Sequence, residues 1–359
     1  MKTILKILFS LALMFAVCAF ISSASGLPFL PMAGVAFILG AFPRPKGVAS
    51  GVIVEIWVNY IIERFWKDNA FLRNAYNDSQ YVQQGRFVHI PQIGTKPNVV
   101  INRQVFPATA VRRADTAVLY GLDEYTTDPT HIPNIDRIHL SYNKQDSVLG
   151  DHMAVLDETV ADDMLIKWAA NAANYKTTGA QIVMGNPSVL EVPPAIGQTG
   201  NRFAFTHRDL KNLMTRMNIN NVPKSDRFVL IDDNMYDAFY DTLGETNARD
   251  FSQYADAANG VVGRLHGFNI MTRSSVLATT GGNVNPLGSV LAADSNLCSL
   301  AWQKDTVAFA LGDKILFSDP NNPLYYGDLY STLVMAGGRV RREDGLGVYL
   351  IEQGVPDEA

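Results

Sequence analysis

The longest regular pattern in this 359-residue chain covers residues 147–173 and reads SVLGDHMAVLDETVADDMLIKWAANAA. Its apolar residues recur with a spacing close to 3.6, which predicts a helix with a single apolar stripe. Asp146 and Ser147 suit the N-cap, acidic residues crowd the first half, and Lys167 lies near the end, as the helix dipole favours. A helix of about 26 residues within 146–173 would be about 39 Å long, so we expect a spine against which other elements pack.

Upstream of this helix, residues 92–123 are rich in Thr, Val, Arg and Asn and poor in helix formers. Val99–Ile101 and Ala117–Tyr120 are β-like, so we predict a long two-stranded excursion from the body of the protein. An isolated ribbon of this kind is marginal in water, and a neighbouring subunit is an economical support for it. Solvation is the commoner role of surface charges, but six residues here offer complementary charges for such a contact: Arg103, Arg112 and Arg113, with Asp115, Asp123 and Glu124.

Downstream of the predicted spine, local signals alternate between helix and strand. Residues 174–200 are rich in proline and glycine and predict a loop. Thr206 is a helix cap for His207–Met217, and Asp226–Ile231 reads as a buried strand. Asp232 then suits the cap of a further helix.

Further strands are predicted at Asp136–Tyr142, Tyr325–Ala336 and Val348–Glu352. The pair Gly337 and Gly338 is expected to bend the chain after the second of them. Helices and strands are mixed without a regular βαβ rhythm, which predicts an α+β fold rather than a doubly wound sheet.

The N-terminus is unusually apolar. Lys2 and Lys6 precede the uncharged apolar run Ile7–Ile21, and small polar residues follow, which is the layout of a secretory signal. A second apolar run, 27–42, is short of the ~20 residues that span a bilayer. Three interpretations of residues 1–46 stay open: a cleaved signal or anchor, a hairpin dipping into a bilayer, or an assembly segment buried against copies of itself.

Residues 53–66, IVEIWVNYIIERFW, follow this leader with apolar residues at helical spacing. They predict an amphipathic helix whose stripe includes Trp57, with Trp66 at its end. Packing in the core of the same chain and binding to a partner are equally compatible with this pattern.

Sequence motifs for common chemistry are missing. The chain has no glycine-rich phosphate loop, no Gly-x-Ser-x-Gly elbow and no His-Glu-x-x-His. Cys18 and Cys298 cannot form a disulfide framework, because the first lies in the apolar leader. The acidic group Asp232, Asp233 and Asp237 is explained by helix capping. We therefore predict no catalytic residue, no metal site and no cofactor, and the chain is not expected to be an enzyme.

A net charge of −5 argues against a protein that reads nucleic-acid sequence, but not against one that surrounds nucleic acid. Several strings, in this order, resemble the major capsid proteins of tailed bacteriophages with the Hong Kong 97-like fold, in particular those of Bacteroidetes phages. The strings are Glu55–Asn59 (EIWVN), Trp66–Asn69 (WKDN), Val88–Pro91 (VHIP), Asp123–Pro129 (DEYTTDP), Leu140–Leu149 (LSYNKQDSVL), Ala301–Asp305 (AWQKD), Pro323–Tyr330 (PLYYGDLY) and Ala336–Arg339 (AGGR).

The resemblance covers about residues 50–352 and implies a division of the chain. The implied parts are a leader (1–46), an N-terminal arm (47–81), an extended loop that lies over the next subunit (82–125), a peripheral domain (126–204 and 311–359) with the spine helix 146–173, and an axial domain (205–310). Members of the family often begin with a polar scaffolding segment. The apolar leader departs from that pattern, and we expect it to fill the same place, against a membrane or against neighbouring copies.

The resemblance also implies a function: a structural protein whose hexamers and pentamers close into an icosahedral head around double-stranded DNA, which it contacts without sequence specificity. Further implied partners are the portal and other head proteins, and transient membrane contact through residues 1–46 is expected. Assembly would take place in the host cytoplasm or at the inner membrane face, and the product would be the virion. The predicted subunit-contact residues are Lys96, Arg103, Arg112, Arg113, Asp123, Glu124, Trp57 and Trp66.

Some family members cross-link their subunits through Lys and Asn, for which Lys96 would be the candidate donor. Two alternatives remain at this stage. The first is an encapsulin-like nanocompartment shell of the same fold. The second is an exported, membrane-anchored binding protein, which explains the leader better but leaves the extended loop and the spine helix unexplained.

Overall fold

The computed structural model describes most of the chain from Lys67 onward. The described residues are 67–82, 86–94, 96–108, 110–134, 144–183, 186–244, 249, 251–256 and 259–356. The leader 1–46, the amphipathic segment 53–66 with Trp57 and Trp66, and the strand predicted at 136–142 lie outside them. None of the described helices is long and apolar enough to span a bilayer.

The described part of the chain is rich in strands. Its α-helices are α1 (Lys144–Ala169), α2 (His207–Ile219) and α3 (Asp233–Asp241), and short 3-10 helices lie at Ala70–Asn74, Ser79–Tyr81 and Lys304–Thr306. Its strands are β1 (Tyr76–Asn77), β2 (Phe87–Gln92), β3 (Thr116–Gly121), β4 (Asp123–Thr126), β5 (Thr130–Pro133), β6 (Ala173–Lys176), β7 (Ala180–Val183), β8 (Asn186–Val189), β9 (Glu191–Val192), β10 (Arg202–Phe203), β11 (Arg227–Asp232), β12 (Val261–Leu265), β13 (Phe268–Arg273), β14 (Leu277–Thr280), β15 (Asn283–Val284), β16 (Asn296–Gln303), β17 (Val307–Asn322), β18 (Gly327–Val340) and β19 (Val348–Glu352).

The spine helix α1 is confirmed, with 26 residues from Lys144 to Ala169. It ends four residues earlier than predicted, because Ala173 already begins β6, which pairs in parallel with β19. Its buried stripe includes Leu156, Met164 and Trp168, as the periodicity predicts.

The bend predicted at Gly337 and Gly338 is wrong, since β18 runs without interruption from Gly327 to Val340. A Cβ atom at Gly338 would lie 2.5 Å from the Met164 sulfur atom on α1. At Gly337 it would lie 2.6 Å from the Gly121 carbonyl oxygen. The two glycines therefore allow close packing of β18 against its neighbours instead of breaking the strand.

The central eight-stranded sheet runs in the order β12-β13-β11-β16-β14-β15, and β19 and β6 extend it from β16. All six residues of β11 are buried, which confirms the predicted strand. Phe228 and Leu230 pack with α1 in one apolar cluster, which we call the cluster beneath α1. Val229 and Ile231 pack with α2 and α3 in a second apolar cluster on the opposite face of the sheet. Helices thus cover both faces, and the α+β fold class is confirmed.

Three aromatic side chains form the centre of the cluster beneath α1. Phe71 lies edge-on to both Trp168 and Trp302, with ring centroids 5.9 and 6.4 Å apart. The Trp168 indole N–H donates to the Ala308 carbonyl at 3.0 Å, and that of Trp302 donates to the Asn74 carbonyl at 3.0 Å. Both indoles are therefore buried without a lost hydrogen bond.

The two helix caps predicted from sequence are confirmed. The Thr206 hydroxyl accepts a hydrogen bond from the Asp209 backbone N–H, and the Asp209 carboxylate accepts one from the Thr206 N–H, forming a capping box at α2. Asp232 caps α3 through the Asn234 N–H. The loop predicted at 174–200 is wrong. It contains β6, the hairpin β7–β8 and β9, because short edge strands tolerate proline and glycine.

A second sheet has the order β1-β17-β18-β4, and β5 also pairs with β18. Its strands β17 and β18 form a long antiparallel hairpin. The predicted division into a peripheral part (126–204 and 311–359) and an axial part (205–310) stays a prediction. The eight-stranded sheet takes strands from both parts, since β6 and β19 join β16.

Candidate subunit interface

The extended loop consists of a paired root and an unpaired tip. β2 and β3 pair from Phe87 opposite Gly121 to Gln92 opposite Thr116, and we call these two strands the loop root. Residues 93–115 connect them, and we call this segment the loop tip. The strand predicted at Val99–Ile101 is wrong, since none of the described tip residues is in a strand. No neighbouring strand in the described part of the chain offers those residues a partner.

The loop root is anchored on the body of the protein. Val88, Ile90, Val118 and Tyr120 alternate along the strands and are buried in one cluster with Ala310 of β17. The opposite face of the ribbon remains solvent-accessible. One-sided burial of this kind fixes the register of the ribbon, because a slip by one residue would expose the whole apolar set.

The loop tip exposes large apolar side chains. Ile101 is 85% exposed, and the other members of the set are similarly open to solvent. The six tip residues that are at least 75% exposed are Ile93, Val99, Ile101, Val105, Phe106 and Val111. Single exposed apolar residues need no explanation, but a concentration of six on one projecting segment is typical of an interaction surface.

The loop tip is also cationic. It carries Lys96, Arg103, Arg112 and Arg113 against the single acid Asp115. The Arg113 guanidinium donates to the Asp115 carboxylate at 2.6 Å, which holds the pKa of that carboxyl below its ordinary value. Within the described residues, no side-chain hydrogen bond or ion pair reaches the other three cations. They are therefore available for a partner outside the described chain.

The two acids predicted to share this contact are engaged elsewhere. Asp123 accepts a hydrogen bond from Lys167 of α1 at 2.5 Å, and Glu124 accepts one from Arg86 at 3.0 Å. Both acids lie on β4, next to β18. The structure therefore does not bring Asp123 and Glu124 together with the cations of the loop tip, and their role in subunit contact stays a prediction.

An acidic surface was missed by the sequence analysis. Asp151 and Asp157 are exposed on α1, Asp128 is exposed on the β4–β5 connection, and Val155 between them is 41% exposed. Asp151 and Val155 lie one turn apart on α1, whereas Asp157 is about 120° from Asp151 around the helix axis. The four residues thus border α1 on two sides, and we call them together the acidic spine face. The sequence did contain a signal for this surface, because two acids, at 151 and 157, and an apolar residue at 155 fall outside the buried stripe of α1.

Two open cavities adjoin the acidic spine face. One, of about 360 Å³, is lined by Asp128, Asp151, Val155 and their neighbours. The other, of about 310 Å³, lies between α1 and β17–β18 and is mainly apolar, with Asp157 at its edge. Negative charge is therefore concentrated at the first cavity, whereas the second is mainly apolar and carries the cations Arg73 and Lys314 beside Asp157.

The sequence matches no protein-family model and no curated protein. Solved structures do match over most of the chain. The capsid of cyanophage P-SCSP1u has a TM-score of 0.55 at 18% identity and covers 87% of this chain and 93% of its own. The capsid of Ralstonia phage GP4 has a TM-score of 0.55 at 10% identity, covering 89% and 98%. A structure from Mycobacterium phage Che8 has a TM-score of 0.52 at 17% identity, covering 81% and 93%.

The chain has the Hong Kong 97-like capsid fold. At these identities the comparisons establish the fold alone. In this capsid fold, α1 is the spine helix, and β2 and β3 with the segment between them form the extended loop. The resemblance inferred from the order of short strings is thereby confirmed at the level of the fold.

The acidic group predicted around Asp232 takes part in local structure. The Asp232 carboxylate accepts hydrogen bonds from the backbone N–H groups of Asn234 and Val276, so helix capping and loop anchoring engage both of its oxygens. No group of three or more His, Cys, Asp or Glu side chains within the described ranges is arranged to hold a metal ion. Trp57 and Trp66 lie outside those ranges, and their role in subunit contact stays a prediction.

Proposed function

We propose that this chain is the major capsid protein of a tailed bacteriophage, whose copies form hexamers and pentamers and close into an icosahedral shell around double-stranded DNA. The observation that carries this proposal is the extended loop, with its root packed on the body and its apolar, cationic tip bare. The capsid fold supports it, and the phage origin of the similar structures favours it over a nanocompartment.

The energetics of the loop tip suit repeated weak contacts. Fully burying a Val, Ile or Phe side chain is worth about 1.5–3 kcal/mol, so partial burial of six of them gives a contact of modest strength. Binding also costs translational and rotational freedom, so one such contact holds two copies only weakly. In a closed shell each subunit makes the contact twice, once as donor and once as acceptor, and closure makes the assembly stable.

The acidic spine face of a second copy is the surface that we propose for the loop tip to bind. Lys96, Arg103 and Arg112 would approach Asp128, Asp151 and Asp157, while apolar tip residues enter the recesses beside α1. Such a contact is heterologous, because the tip of one copy meets a different surface on the next, and heterologous contacts generate rings. Its charges are solvent-exposed, so the contact should weaken with added salt.

The remaining partners belong to the same proposal. Packaged DNA would be contacted without sequence readout, as the net charge of −5 suggests, and the portal and other head proteins would bind the completed shell. The leader 1–46 would guide early assembly at a membrane or between copies and then be removed. A mature N-terminus near Gly47 would support this role, whereas one at Gly26 would favour export.

Negative-stain electron microscopy of the purified full-length chain and of residues 47–359 tests the function. We expect shells, rings or capsomer-sized particles, and a difference between the two chains if the leader acts in assembly. Monomers from both chains, at all protein concentrations and salt conditions, would contradict self-assembly.

Charge reversal tests the proposed partner surface. Arg103→Glu with Arg112→Glu should abolish particles, because the tip then repels the acidic spine face. Adding Asp151→Arg and Asp157→Arg to the same chain should restore them. Lys224→Glu, an exposed reversal away from both surfaces, is the matched control and should assemble normally. Failure of the four-residue swap to rescue a folded protein would exclude this pairing of surfaces.

A further inference from the structure

A buried carboxylate lies directly beneath the loop root. Asp78 is only 1% exposed and follows β1, where its backbone N–H donates to the Phe309 carbonyl at 2.8 Å. Its carboxylate accepts a hydrogen bond from the Tyr120 hydroxyl at 3.3 Å. The Arg341 guanidinium approaches it only to 3.8 Å.

These two partners compensate the buried charge weakly. The Arg341 guanidinium stacks on the Tyr76 ring, 3.8 Å from its centroid, and its buried Nε atom has no hydrogen-bond partner among the described residues. Burial raises the pKa of Asp78, and the opposing effects of Arg341 and of the Tyr120 hydrogen bond do not cancel it. Burial also raises the pKa of Tyr120, which therefore remains a hydrogen-bond donor.

The same cluster touches both strands of the loop root. Tyr120 belongs to β3. The Gln92 side chain, at the end of β2, donates to the Arg341 carbonyl at 2.7 Å. Arg341 and Tyr120 are the titratable groups in the described part of the chain that bear on the Asp78 carboxylate. A change in the charge of Asp78 is therefore felt where the loop meets the body.

We propose that Asp78 is a proton-linked latch: one bound proton holds the loop root firmly on the body, and ionisation loosens it. A carboxyl whose pKa is higher in the folded than in the unfolded state contributes stability that is fully present below its unfolded pKa, about 3.9. That stability is lost as the pH rises through the raised folded pKa. The root should thus be firmest in mild acid and looser at neutral pH, the opposite of an ordinary ion-paired aspartate.

Hydrogen exchange of the full-length chain, measured by mass spectrometry, tests the latch. Protection factors are taken relative to the unfolded-chain rate at each pH, so that the intrinsic pH dependence of exchange is removed. Peptides covering β2 and β3 report on the root, and a peptide covering β11 is the internal reference. We expect protection of the root, relative to β11, to fall at least about threefold between pH 4.5 and pH 7.5.

Asp78→Asn should remove this pH dependence and leave the root at least as protected at pH 7.5 as in the wild type. Asp313→Asn, an exposed change on the adjoining sheet, is the matched control and should retain the wild-type profile.

If Asp78→Asn does not fold, Tyr120→Phe provides the test. This change removes the hydroxyl that donates to the Asp78 carboxylate, so the ionised carboxylate is less stable and the protection of the root falls more steeply with pH. A flat wild-type profile, or a root less protected at pH 7.5 in Asp78→Asn, would overturn the latch. Exchange is measured on the monomer fraction after any assembled particles have been removed by sedimentation, so this result is independent of the proposed shell function.

Discussion

The cluster beneath α1 and the loop tip are both rich in large apolar residues, yet their surroundings are opposite. Phe71, Trp168 and Trp302 are buried, and the indole N–H groups of both tryptophans donate hydrogen bonds within the chain. Ile101 and the other apolar residues of the tip face solvent. Apolar residues in the first region stabilise the subunit, whereas those in the second can gain free energy only from a partner. Under the proposed function, folding and association depend on separate residues, which can be varied separately.

The largest effect is expected in the cluster beneath α1. Trp168→Ala removes a fully buried side chain and its hydrogen bond to Ala308, and should lower the free energy of unfolding by about 4 kcal/mol. Denaturant unfolding followed by circular dichroism measures it. Val155→Ala, on the exposed side of the same helix, should change stability by less than about 1 kcal/mol. Equal losses of unfolding free energy at the two positions would contradict the assignment of a buried and an exposed face to α1.

The ionic junction beside this cluster should give the next largest effect. The Arg273 side chain is fully buried and forms a salt bridge with Asp162 of α1, and it also donates to Asn69 at 3.0 Å. Arg273→Met should cost about 3 kcal/mol, because it removes the main partner of a partly buried carboxylate. Lys67, 2.9 Å from the same carboxylate, limits the loss. In a double-mutant cycle with Asp162→Asn, additive losses would show that the pair is not coupled.

The loop root should be intermediate between the two regions. Val88→Ala removes two buried methyl groups and should cost about 2 kcal/mol at most. Since the root is a separate ribbon, its hydrogen-exchange protection should fall more than that of β11. A uniform fall in both would mean that the root does not open independently of the central sheet.

The smallest effect on folding is expected at the loop tip. The triple change Ile101→Ser, Val105→Ser and Val111→Ser should alter the free energy of unfolding by less than about 0.5 kcal/mol. Particle formation should nevertheless be lost, since the apolar contact is removed. Electron microscopy and denaturant unfolding of the same preparation make the two measurements. An unfolded variant, or one that still forms wild-type particles, would refute the assignment of the tip to association alone.

Local signals made part of this fold predictable from the sequence. The spine helix was visible because its stripe repeats over 26 residues, and the Thr206 cap was visible because its partner is three residues away. The role of Gly338 was not visible, since it depends on the contact with Met164 across the core. The latch at Asp78 was missed for the same reason, because Tyr120 and Arg341 are distant in sequence.

The candidate interface was predictable only on one side. The cations of the loop tip were recognised because they concentrate in a segment that lacks helix formers. Their predicted counterparts Asp123 and Glu124 are paired within the chain, and sequence proximity gave no hint of Lys167 as a partner. Asp151 and Asp157 could be assigned to the exposed side of α1 only once the buried side was known.

Mixing two complementary variants tests the contact between copies most directly. One variant carries Arg103→Glu and Arg112→Glu, so its tip is blocked, and the other carries Asp151→Arg and Asp157→Arg, so its acidic spine face is blocked. The variant with the blocked tip retains an intact spine face, and the other retains an intact tip. Sedimentation velocity should show each variant alone as unassembled. Their mixture should associate, because the acidic tip of the first variant can bind the cationic face of the second. The native cationic tip of the second variant can likewise bind the native acidic face of the first. A mixture that sediments as its separate components, or variants that assemble alone as the wild type does, would contradict the account.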